Sequence, residues 1–512
     1  MIRADDFEKT GNIIRIADAE CRRTFPWNLE YNCPVHENWN IVHTGMLIPE
    51  CHQIYICPEN CLRGVIMTAD EMGARDRISA VMPDEEELYD GRLEQVTIDG
   101  VIDVVKKLPV RPRAIQVFLV CTHLISGCDV RFIFDSIKKA LPDIYVMECF
   151  MDPIRQKLTV TPEMRQRYEM MKVLSLSGST GRKNKTVSVL GDDLPVKASV
   201  SVLGDDLPMK ESDIRALTEK CGIDLIEVKK AVTFDEYLEM GASPVWITRS
   251  AFSAYGINKA AEKAGVKGLY LPAAVSYDEI DRELTEYLTC IFERIAPGVH
   301  GISGQNAQYP DFPFEKNENG GNNSCRENNA GKAAENMVAS WSEEQRKLTE
   351  EAVLHTRDAV GEKPIVIDNL CINRPVGFAR FLFEHGFNVK MIVADSISSE
   401  EADDLRILKD ECPDIYVLNP AGAGSGFDRR YMSIFIDGDR EFREPLAVGP
   451  KAAYFTGTSH FVNAVEYDGG DGYMGIRHIL ALINDAVRIE NNKEIVTGKG
   501  LGLNGIWTGG SV

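Results

Sequence analysis

The sequence predicts an α/β protein of parallel sheets covered by helices. Three observations carry this. Short β-branched runs alternate with amphipathic stretches along the chain, as strand–helix–strand units require. Polar connectors cut that alternation into three blocks. At 512 residues and 44% apolar content, the chain is long enough for two to four domains, each with a buried core.

The first block covers 1–176. Its strands are expected at Arg77–Met82 (RISAVM), Ala114–Val120 (AIQVFLV) and Ile144–Phe150 (IYVMECF). The polar linker SLSGSTGRKNKT follows, lacking phosphate-loop spacing. The second block, 186–297, places strands in VSVLG, Ile223–Lys229, Ser243–Thr248 and Lys267–Ala273, with helical patterns such as NKAAEKAG between them. The stretch 298–335 is an Asn-rich insertion, read as a surface loop in which Cys325 is a bystander. The third block, 336–467, begins with a long charged helix and has strands at Pro364–Asn369, Phe387–Asp395 and Asp414–Pro420. The tail 468–512 carries one helix, MGIRHILALINDAVRIEN, and is grouped with the first block. Within the second block, Val187–Ser199 is repeated at once as Val200–Ser212, with differences only at Val196/Met209 and Ala198/Glu211. One copy suffices as the first strand of that block. The other is expected at a sheet edge or in a protruding hairpin.

A net charge of −21 and a pI near 5.0 argue against a general nucleic-acid partner, which would need a basic face. No apolar run approaches the ~20 residues of a membrane span, and the charged N-terminus lacks the apolar core of a signal peptide. A cytoplasmic protein with reduced thiols is expected.

The densest chemistry lies in the first block. Cys51, Cys57 and Cys61 crowd into PECHQIYICPENCLRG, Cys33 lies upstream, and Cys121 and Cys128 fall in VFLVCTHLISGCDV. The turn Cys57–Cys61 can aim two sulfurs the same way. The helical stretch after it places Cys61 near a helix N-terminus, whose partial positive charge favours thiolate. Cys121 lies just past a strand's carboxyl end, the ligand-binding edge of an open α/β sheet. Soft thiolates in several segments favour an iron–sulfur cluster. A zinc site and unliganded thiols remain open, although C-x5-C-x3-C is not a zinc-ribbon spacing. Cys149, Cys221, Cys290 and Cys371 read as core residues. His36, His43, His52 and His123 lie near the thiols and read first as structural. His460 is the best isolated candidate for a pocket role. The run Pro420–Gly426 (PAGAGSG) follows a strand and reads as a flexible turn.

Together these segments resemble the component 1 superfamily of nitrogenase and nitrogenase-like oxidoreductases, as a divergent member. Pro58-Glu59-Asn60-Cys61 is similar to the family's Pro-x-x-Cys cluster segment. Cys33 stands at about the spacing of its first cluster cysteine, and CTHLISGCDV resembles the segment carrying the third. Residues 361–395 resemble the start of the family's third domain, and YFTGTSHFVNAVEYDGGDGYMGI its closing segment. The resemblance implies three Rossmann-like αβα domains with parallel sheets around a shared cleft. It implies a cluster, 4Fe-4S in type, held by Cys33, Cys61 and Cys121, with Cys57 as a fourth arm and Cys51 or Cys128 as alternates. It further implies a homo- or hetero-dimer with a component 1-like subunit, and electrons delivered by an ATP-hydrolysing iron protein. A second metal or a tetrapyrrole-type ligand in the cleft stays open. The sequence also departs from the pattern. Where nitrogen-reducing members hold their cofactor with a cysteine, PVWITRSAFSAYG has none, and Thr248 and Arg249 stand there. No histidine falls in register near Asn463, though His460 is close. These departures argue against dinitrogen reduction. They leave a reductase of unknown substrate, a scaffold for cofactor assembly, or a metal-free binding protein.

Overall fold

The computed structural model describes residues 13–21, 24–25, 41–155, 160–176, 186–189, 212–272, 274–294, 323–420, 444–464 and 472–492, with the backbone alone for Glu71, Leu176, 186–189 and 323–329. Strand β1 (Ile13–Arg15) comes first in the chain but belongs to the last sheet.

The first sheet contains β2 (Cys51–Ile56), β3 (Ile78–Val81), β4 (Ala114–Val120) and β5 (Tyr145–Met151), all parallel, in the order β3-β2-β4-β5. Every residue of β2 and β4 is buried, as interior strands of a doubly covered sheet must be. Period-two alternation then divides β2. Ile54 and Ile56 pack with Ile98, Val101 and Phe134 on one face. Cys51, Tyr55 and Cys57 pack with Phe118, Trp246 and Ile257 on the other. The Tyr55 and Phe118 rings stack at 4.4 Å.

The second sheet contains β6 (Thr186–Val189), β7 (Asp224–Glu227), β8 (Val245–Thr248) and β9 (Lys267–Tyr270), parallel, in the order β7-β6-β8-β9. The first copy of the duplicated segment thus supplies an interior strand. The second copy lies outside the described residues apart from Ser212. The third sheet joins β10 (Ile365–Asp368), β11 (Val389–Val393), β12 (Tyr416–Leu418), β13 (Leu446–Val448) and β14 (Phe461–Val462) in the order β1-β12-β11-β10-β13-β14. All its pairings are parallel except β1 on β12.

Two segments sit elsewhere than their sequence grouping. β1 pairs with the third sheet. Helix Gly472–Arg488, grouped on sequence with the first block, packs on helix Asn323–Val360, helix Tyr277–Arg294 and β14. Its stripe Ile476, Ile479, Leu480 and Ile483 has the i, i+3, i+4, i+7 spacing of one helical face, and it is buried with Val353 and Ile365. Helix Asn323–Val360, 38 residues long, also begins inside the Asn-rich stretch read as loop.

All three sheets share one topological feature. Among the parallel strands, the chain enters on an interior one, builds outward to one side, then crosses to the other. The reversal points lie between β2 and β4, between β6 and β8, and between β10 and β13. In open parallel sheets, the carboxyl edge at such a point is where ligands bind.

Candidate metal centre

The first reversal point gathers the thiols. Ile56 of β2 pairs with Leu119 of β4, and Val120 of β4 with Met151 of β5. Adjacent strand ends therefore carry Cys57, Cys121 and Asp152 along one edge. Cys121 opens helix Cys121–Ile125. Cys61 sits in the first turn of helix Glu59–Glu71, where its amide donates to the Pro58 carbonyl at 3.0 Å. Cys61 is exposed and Cys121 half-buried. The Cys121 thiol is pushed up, first by burial, then by the Asp152 carboxylate and the Cys61 thiol, so these three groups share one electrostatic neighbourhood.

Surrounding hydrogen bonds fix this edge. The Thr97 hydroxyl donates to the Leu93 carbonyl at 2.7 Å, so it accepts from His123 Nε2 at 3.0 Å. His123 Nδ1 then accepts the Val120 amide at 3.3 Å. Burial lowers the His123 pKa to about 4, which keeps this neutral arrangement at ordinary pH. His123 thus holds the turn that presents Cys121. The approach to β2 is fixed as well. Gln53 Nε2 donates to the Val42 carbonyl, Gln116 Nε2 to the Gly45 carbonyl, and Gln166 Nε2 to the Ile41 carbonyl. A Cβ at Gly45 would lie 2.5 Å from both Gln53 and Gln116, so only glycine lets helix Ile41–Met46 sit this close.

Cys33 and His36 lie outside the described residues. Cys57 shows no exposure, and burial drives its thiol up to about 12. Cys51, also raised to about 12, and Cys149 are buried in the same core. Cys128 is half-buried, its thiol raised by burial and by Glu94. His52 bonds Ser79 at 2.8 Å, and burial lowers His43 and His52 to about 4. His460 binds the Ala486 carbonyl through Nδ1 at 3.0 Å, tying helix Gly472–Arg488 to the third sheet. Among the described residues, no three His, Cys, Asp or Glu side chains converge as a metal-binding group.

Asp152 was not among the residues singled out from sequence. It is 1% exposed. Its Oδ1 accepts the Ile154 amide at 2.9 Å, closing the turn at the exit of β5. Its Oδ2 lies 3.2 Å from Arg155 Nε, yet makes no hydrogen bond among the described residues. The Arg155 guanidinium lies over the Phe150 ring instead, 4.4 Å from its centroid. The available signal was an acid immediately past a strand end, in MDPIR.

The other two reversal points are chemically different. At the second, Asp213, Ile280, Arg249, Glu283, Leu284 and Gly472 are among the residues enclosing a cavity of about 10 Å³, room for one water. Burial raises Glu283, and Arg249 draws it back. At the third, Asp368 is fully buried. Its Oδ1 accepts the Leu370 and Cys371 amides at 2.9 Å each, and its Oδ2 the Ala452 amide at 2.8 Å. Lys451 donates to Asn369 at 2.9 Å, and Asn369 to Asp395 at 2.7 Å.

The fold is that of a three-sheet α/β protein with a thiol-bearing edge on its first sheet. Among solved structures, it is similar to one of nitrogenase Cp1 at pH 6.5, with TM-score 0.56 and 13% identity over 92% of this chain and 95% of that one. A second, nitrogenase Cp1 at pH 5, gives TM-score 0.50 and 11% identity over 95% and 96%. At these identities the likeness is one of fold. No protein-family model and no curated protein matches the sequence. No helix among the described residues is long and apolar enough to cross a membrane.

Proposed function

We propose that this chain is a nitrogenase-like reductase subunit. In this reading a cysteine-ligated iron–sulfur cluster at the first reversal point relays electrons from an ATP-hydrolysing iron protein to a substrate in the interdomain cleft. The observation that supports the reading is that Cys61, in the first turn of the helix after β2, and Cys121, just past the end of β4, both stand at the carboxyl edge of adjacent strands and are reachable from solvent. The donor type fits: thiols reachable from solvent suit iron and sulfide. Cys61 and Cys121 would hold the group, together with Cys33 and, as a fourth thiolate, Cys57. When bound, such a cluster takes and passes one electron at a time. The chain's own groups do the rest. His123 fixes the turn carrying Cys121, and the buried first sheet keeps the edge rigid.

The rim of this edge supports a dimer with a component 1-like subunit. Met82, Leu124, Ile125, Phe132 and Ile154 are exposed apolar side chains at or just past the strand ends beside the thiols. A second chain seated there would cover them and shield the cluster from water. The net charge of −21 speaks against nucleic acid as partner.

The second reversal point favours the scaffold reading as runner-up. Arg249, Glu283 and Asp213 line the edge beyond β8, and among the described residues they enclose a cavity of about 10 Å³. A chain with this lining would hold or transfer a cluster without housing a large cofactor there.

The test is anaerobic purification with iron, sulfide and electron paramagnetic resonance analysis. Brown protein with about four irons per chain or per dimer, lost in Cys61→Ser and Cys121→Ser, is expected. Protein that stays colourless and iron-free after reconstitution would refute the reading. Turnover with an iron protein and ATP, against cluster transfer without turnover, separates reductase from scaffold.

A further inference from the structure

We infer that either copy of the tandem repeat can fill the β6 position of the second sheet, so that this unit has two arrangements of equal strand content. They differ in which end of the strand carries the surplus chain. The inference does not depend on any bound group.

Backbone pairing defines the position. Val187, Ser188 and Val189 stand between two parallel neighbours, opposite Leu225, Ile226 and Glu227 of β7 on one side and Val245, Trp246 and Ile247 of β8 on the other. An interior strand supplies amides and carbonyls to both neighbours, so leaving it empty would orphan two ladders. The chain carries two segments that meet this demand. Val187–Pro195 reads VSVLGDDLP, and Val200–Pro208 reads the same. A shift by one repeat puts the same residue type at every register position of β6 except the first, where Ser199 would replace Thr186. Thr is the better strand former, which tips the balance toward the first copy. The two differences between the copies, Val196/Met209 and Ala198/Glu211, fall after the strand.

Chain length does not separate the arrangements. Helix Pro162–Leu176 precedes the strand and helix Asp213–Lys220 follows it. With the first copy in place, residues 177–185 lead in and 190–211 lead out. With the second in place, 177–198 would lead in and 203–211 lead out. These are the same two lengths exchanged, so the costs of closing the loops match in sum. The far end of the lead-out is anchored in both cases. Ser212 Oγ accepts the Arg215 amide at 3.2 Å, and the Asp213 carboxylate accepts Trp341 Nε1 at 2.8 Å and the Met474 amide at 3.1 Å. The exchange therefore moves one repeat's length of chain between the carboxyl edge of the second reversal point and the opposite, amino edge. Conversion needs only the withdrawal of a four-residue strand, a local opening.

The experiment uses the full chain, in wild type, Ser188→Pro, Ser201→Pro and the double variant. Proline removes an amide donor and is not tolerated in an interior strand. Thermal unfolding gives stability, and hydrogen exchange read by mass spectrometry gives the occupant. Val196/Met209 and Ala198/Glu211 make peptides from the two copies differ in mass. Each single variant should keep most of the midpoint that the double variant loses, a strongly non-additive pair. Amide protection should lie mainly in the first copy in wild type and move to the second in Ser188→Pro.

A Ser188→Pro variant as destabilised as the double, with its second copy unprotected, would overturn the inference, because only the first copy then fits. A loss in Ser201→Pro alone as large as the double's would overturn it too. So would a double variant as stable as wild type, because neither copy would then be a strand of the sheet.

Discussion

The first and third sheets reverse direction in the same way, yet the two reversal points have opposite characters. At the third, every oxygen of Asp368 meets a backbone amide, and Lys451, Asn369 and Asp395 form a closed chain. At the first, Cys61 stands exposed, Cys121 is half-exposed, and Asp152 Oδ2 meets Arg155 at 3.2 Å without a hydrogen bond among the described residues. The same topology thus builds a plug in one unit and an open donor set in the other. A buried acid signals a ligand site only where its hydrogen bonds are incomplete, because a fully bonded one is already accounted for by folding.

The contrast can be broken most forcefully at Gly449. Its φ is +115°, and a Cβ there would lie 2.1 Å from Asp368 Oδ1. Gly449→Ala should cost on the order of 3–5 kcal/mol by denaturant titration, since strain and overpacking add. A loss below about 1 kcal/mol would mean the plug is soft.

Next is Glu401, whose Oε1 accepts the Val376 and Gly377 amides at the start of helix Pro375–Glu384. Burial raises its pKa to about 7 from the ordinary 4.5. The folded state therefore holds the proton more tightly. This carboxyl's contribution to stability is full below pH 4.5 and falls as pH rises through 7, by on the order of 3 kcal/mol. Glu401→Gln retains the acceptor and should flatten that fall, measured as midpoint against pH relative to wild type. An unchanged slope would show that the proton is bound no more tightly in the fold.

At the first edge the expected stability effects are smaller. Cys57→Ala removes one buried sulfur from a packed core and should cost about 1–2 kcal/mol, read from the thermal midpoint. Cys61 is exposed, so Cys61→Ser should leave the iron-free protein within about 0.5 kcal/mol of wild type. The same substitution should abolish iron retention. A site that is stability-neutral and metal-critical is the opposite of the Asp368 plug, and a large stability loss at Cys61 would erase the distinction.

The strands β3 to β12 all fall in apolar segments that the sequence marks as strands. β2 was not recognised as a strand. His52 and Gln53 interrupt its apolar run, and only the fold shows them paired, with Ser79 and with the Val42 carbonyl. β1, β13 and β14 span two or three residues, too short for any periodicity to register. Cys61 and Cys121 were legible through their local context, a turn leading into a helix and a strand end. Asp152 was not, because its relation to Cys121 is set by register between strands whose sequences are unrelated. Cys57 attracted attention by its nearness to Cys61 in sequence. Strand alternation decides where its sulfur points, and sequence distance does not carry that information.

The pairing of β1 with β12 also has a consequence in time. Arg15 bonds Asp414, 399 residues later in the chain. A ribosome adding about 5–20 residues per second needs roughly 20–80 s between the two. The first sheet is complete long before then, while β1 waits without its partner. β1 is therefore made well before the strand that pairs with it, and its edge stays unpaired over that interval.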